Sequence, residues 1–179
     1  MRASALWQDD AATVTRVFFG LILILTAFAQ ATIFPTVRVL GGMGPDLVLV
    51  LILVWSGLHG SREGMVWAFA LGLLLDLLTL DPLGSNALAL LPVALIGGLA
   101  SRRLFHSGLI IPMLAVVAAT LAHQLMSVSL STLAGFHYTL LVSVKFGLLT
   151  ALLNVLVVPP LYLFVLATEY LGVGHAARA

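Results

Sequence analysis

Charge is absent from this chain over stretches long enough to cross a bilayer. No Asp, Glu, Lys or Arg occurs from position 17 to 37, from 82 to 101, from 104 to 144 or from 146 to 168. Over the 179 residues, 61% are hydrophobic and 8% charged, against roughly 25% charged in a soluble domain. Mean hydropathy is +1.17. A soluble fold of this size leaves much of its area facing water, and this sequence lacks the polar residues to cover such a surface. That excludes a soluble enzyme or binding domain, a disordered tail and a coiled coil. The chain reads as an all-α integral membrane protein.

Spans of about 20 apolar residues are needed to cross the hydrocarbon layer. Six segments qualify, at about 17–34, 44–58, 64–80, 86–101, 109–133 and 138–168. They make one multi-pass membrane domain covering 1–179, with no internal repeat. The second and fourth are short, and Pro92 interrupts the fourth; either neighbours bury them as irregular spans or the pair is re-entrant, and the charge pattern favours six spans. Pro45 is placed in the first turn of the second, where a missing N–H costs nothing. Ala27-Phe28-Ala29 imitates a secretory cleavage site. The long segment ahead of it carries Asp9 and Asp10, so the first apolar run is expected to stay as a span.

Positive residues sort the connecting segments. A six-span reading puts Arg2, Arg16, Arg62, Arg102, Arg103 and Arg178 on one side and Arg38 and Lys145 on the other. Six against two places both termini in the cytoplasm. Net charge is +1, with no basic stripe for nucleic acid. The chain has no cysteine, so disulfides and thiolate sites are impossible. Arg102-Arg103 reads as an inner-leaflet anchor, and Trp7, Trp55 and Trp67 as interfacial anchors.

In lipid, helices associate through close packing and hydrogen bonds, and small residues mark the contacts. The third segment carries Gly64, Ala68, Gly72 and Asp76 at four-residue spacing; the fifth carries Ala115, Ala119, His123, Ser127 and Ser131. The sixth has Ser143, Gly147 and Ala151 with Thr150 and Asn154 beside them. These three helices are expected to form the tight interior. A carboxylate at a span centre costs about 2.5–3.5 kcal/mol on insertion scales, so Asp76 needs a partner. Depth makes His123 a candidate, together with backbone or hydroxyl groups near the helix ends. As a fastener between helices, Asp76→Asn should be mild. His123 and Asn154 read as interior polar contacts. No G-x-S-x-G elbow and no H-E-x-x-H helix occurs, and the chain is expected not to be an enzyme, with no cofactor or metal.

From position 45 onward a set of motifs appears in order: Pro45-Asp46-Leu47, Gly60-Ser61-Arg62-Glu63-Gly64, Gly72-Leu73-Leu74-Leu75-Asp76-Leu77, Pro82-Leu83-Gly84 and Asn86-Ala87-Leu88. Together they resemble the MreD family of bacterial rod-shape-determining membrane proteins. Ala68, Asp81 and Pro92 depart from the family pattern. The resemblance implies a six-helix transmembrane bundle similar to the S components of energy-coupling-factor transporters. It also implies a non-enzymatic scaffold of the cell-elongation machinery in the cytoplasmic membrane. Its direct partner would be MreC, with MreB, RodA and RodA's penicillin-binding transpeptidase in the wider complex, alongside membrane lipids. Pro45, Asp46, Gly64, Gly72, Asp76, Pro82 and Gly84 would then shape the bundle. The competing expectation is a small-molecule-binding S component of a vitamin transporter.

Overall fold

The computed structural model describes residues 17, 19–33, 44–104, 108–135 and 140–170, with side-chain detail at 17, 19–33, 44–100, 108–135 and 143–161. Trp7, Arg2, Arg16, Arg38 and Arg178 lie outside these residues, as do the side chains of Arg102 and Arg103. Six helices and no strand are present among them. They are α1 (Phe19–Thr32), α2 (Leu47–His59), α3 (Ser61–Thr79), α4 (Ser85–Leu104), α5 (Ile110–Leu133) and α6 (Leu140–Tyr170). Each apolar segment of the sequence carries one of them. α5 and the Ser143–Leu161 stretch of α6 are long and apolar enough to cross a membrane, while α1 and α2 are shorter apolar helices.

Local chemistry sets the boundaries. α2 starts at Leu47 because Asp46 caps it, its carboxylate accepting from the Leu49 N–H at 3.0 Å. Pro45 therefore precedes the cap and is not in the first helical turn. α2 and α3 are separated by Gly60 alone, at φ +92°, a conformation that a Cβ would strain. The fourth helix runs 20 residues, straight through Pro92, and its apolar stretch, Ser85–Ala100, is short, as the sequence suggests. A proline removes one backbone bond and crowds the preceding turn, but α2, α3 and α5 pack around this helix and hold the remaining turns. Hydroxyls inside the apolar mass turn back onto their own helices: Ser56 Oγ donates to the Ile52 carbonyl and Thr120 Oγ1 to that of Val116.

The interior is not built on α3, α5 and α6, as the small-residue stripes suggested. It is built on α2 and α4, with α3 laid against both. α2 buries Val48, Leu49, Val50, Ile52, Leu53, Trp55, Ser56 and Gly57, so nearly its whole circumference faces protein. α4 adds Ala87, Ala89, Leu90, Val93 and Ala94 to the core. The α3 stripe is correctly oriented: Gly64, Ala68, Gly72 and Asp76 are all buried. A Cβ on Gly72 would overlap the backbone of Ala87, and one on Gly64 would overlap Ser56. Gly97 meets the Leu53 carbonyl in the same way on the α2–α4 seam. α5 and α6 form an outer antiparallel pair, with Gly147 beside Gln124.

Trp55 is 4% exposed and does not anchor at a lipid interface. Its ring lies between Phe19 (centroids 3.6 Å apart, planes at 11°) and His59 (3.7 Å, 20°). Trp67 meets Phe19 edge-on at 6.2 Å. The aromatic stack joins α1 to α2 and α3, and the buried Trp55 indole N–H has no hydrogen-bond partner among the described residues.

The backbone approach at Gly72 predicts a steep steric penalty. Gly72→Val should destabilise the protein by about 1–3 kcal/mol or more, lowering the thermal unfolding midpoint in detergent. Ala70→Val, on the exposed face of the same helix, should leave the midpoint nearly unchanged. Equal midpoints for the two variants would remove Gly72 from the seam.

Candidate functional site

Helix starts carry backbone N–H groups with no partner inside the helix. Leaving one buried and unpaired costs about 1–3 kcal/mol. α2 has only 13 residues, about 20 Å at 1.5 Å per residue, and its start is met by Asn154 of α6, well inside the bundle. Three side chains satisfy it. The Asp46 N–H donates to Asn154 Oδ1 at 2.6 Å, the Val48 N–H to Gln30 Oε1 at 3.2 Å and the Leu49 N–H to Asp46 Oδ1 at 3.0 Å. Gln30 Nε2 donates to Asp46 Oδ1 at 2.9 Å, and Asn154 Nδ2 to Thr120 Oγ1 at 3.0 Å. One network thus ties α1, α2, α5 and α6 together. Asn154 is fully buried.

The start of α4 is capped by a residue of α3. Asp76, 1% exposed, accepts the Gly84 N–H on Oδ2 at 2.7 Å. Its Oδ1 accepts the Asn86 N–H at 2.9 Å and the Ser85 hydroxyl at 3.0 Å. Gly84 holds φ +93°, and its own N–H and that of Asn86 meet one carboxylate. The Pro82 carbonyl accepts the Ser85 N–H at 3.0 Å, closing the same turn. Asp81 lies beside this cap: its Oδ2 accepts from Thr79 Oγ1 at 2.6 Å and from Asn86 Nδ2 at 3.1 Å. An anion at a helix start is also favoured by the helix dipole.

The partner of Asp76 is therefore the turn at 84–86, not His123. His123 instead lines a polar cavity of about 210 Å³ with Gln30, Asp46, Thr79, Asp81 and Asn86. The structure brings together Asp46, His123 and Asn154 around the α2 start, and Asp76, Pro82 and Gly84 at the α4 start. Gly64 and Gly72 serve the helix seams, and Pro45 adjoins the α2 cap without joining it. Sequence reasoning passed over Gln30 and Thr120. Each is one polar residue in an apolar run, a signal the small-residue stripes drew attention away from. Among the described residues no group of three or more His, Asp or Glu side chains is placed to hold a metal ion.

A comparison with protein families decides what kind of molecule carries this arrangement. The family described as rod shape-determining protein MreD matches residues 12–167. The chain belongs to the MreD family. No curated protein and no solved structure gives a significant match. MreD is a family of membrane proteins with a role in rod-shape determination. The matched stretch contains both capping networks, from Gln30 to Asn154.

Both carboxylate oxygens of Asp76 are engaged, so the expectation of a mild Asp76→Asn change is revised. An amide keeps one acceptor and turns an NH₂ group toward a donor. Asp76→Asn should cost about 1–3 kcal/mol, and Asp76→Leu, which strands all three donors, should cost more. Thermal unfolding in detergent should rank the midpoints wild type, Asn, Leu in descending order. A wild-type midpoint for Asp76→Leu would show that the cap contributes nothing.

Proposed function

We infer that the chain is a non-enzymatic membrane scaffold of the cell-elongation machinery, which binds MreC and helps direct lateral peptidoglycan synthesis. One observation carries the reading beyond family membership. The buried side chains of Asp76 and Asn154 are spent on backbone N–H groups of neighbouring helices. Their chemistry is that of holding a shape. MreB, RodA and RodA's penicillin-binding transpeptidase enter the proposal at the level of the complex. Under this reading six helices cross the cytoplasmic membrane as a bundle similar to the S components of energy-coupling-factor transporters. Both termini lie in the cytoplasm, as the six-to-two division of Lys and Arg supports.

The transporter reading has less support, because the connecting segments on the outer side, at about 35–45, 80–85 and 134–139, are short and carry few aromatic or charged residues to grip a vitamin.

Two experiments test the proposal. Cysteine labelling is clean because the chain has none. Ser61→Cys and Leu104→Cys should resist a membrane-impermeant maleimide in intact cells, and Leu83→Cys, 73% exposed in the α3–α4 turn, should react. Labelling at 61 or 104 from outside would defeat the topology. Co-purification in mild detergent with MreC from the same organism should recover a stable complex. Tight vitamin binding without MreC association would replace the scaffold with the transporter subunit.

A further inference from the structure

We draw no further inference here: the strongest candidate, the outward face of α6 where Leu148, Leu152 and Leu156 stand exposed in line with Lys145, is an apolar helix face, and nothing in the structure shows what covers it.

Discussion

The bundle depends on how two helix starts are satisfied by side chains of other helices. α2 begins inside the bundle, where its free N–H groups would otherwise be orphaned in an apolar surrounding, and α4 begins at the exposed α3–α4 turn, where the buried carboxylate of Asp76 holds its first N–H groups. Lipid and packed side chains offer no hydrogen bonds in exchange, so each donor needs a protein acceptor at a fixed place. The acceptors come from distant positions in the chain. Asn154 stands 108 residues from the Asp46 N–H that it accepts, and Gln30 stands 18 from Val48. Asp76 reaches across the α3–α4 turn to Gly84 and Asn86. The two most buried helices of the structure are thereby tied to the helices around them through their first turns.

Close packing completes what the caps begin. Hydrophobic burial does not drive helices together in lipid, because lipid tails are as apolar as the side chains. Contact distance matters instead. Gly72 lets α3 lie on the backbone of α4 at Ala87, and Gly64 lets it lie on Ser56 of α2. Asp76 continues that stripe by one further turn, so the seam and the cap are consecutive parts of one helix face. Mispacking at Gly72 would draw Asp76 away from the α4 start, which couples the steric and polar contributions.

The helices and their order were legible in the sequence, because a charge-free apolar run has few ways to fold in a membrane. The buried face of α3 was legible too, since glycines and an aspartate at four-residue spacing leave one side for contact. The identity of the interior helices was not. α2 and α4 carry apolar residues all round, and such a helix looks the same whether it faces protein or lipid. Trp55 illustrates the point: its position near a helix end suggests an interface, and only the fold places Phe19 and His59 on its two faces. The partner of Asp76 was half legible. Depth allowed His123 or a helix end, and what decided between them was the left-handed turn at Gly84, where its own N–H and that of Asn86 meet one carboxylate.

The caps also bear on the order in which the helices can dock. A cap drawn from another helix cannot form until that helix is in place, so the first turn of α2 is complete only when α1 and α6 have docked. α6 adds Val158 to the core, with Val155, Val157 and Leu161 packed against it, while Leu148, Leu152 and Leu156 face outward. Its hold on the bundle runs through Asn154, with Thr120 of α5 steadying the amide and Ala151 and Val158 buried nearby. The α6 seam is thus one amide set in an apolar stripe: the amide fixes the depth at which α6 meets the α2 start, and the apolar neighbours set only how closely it lies.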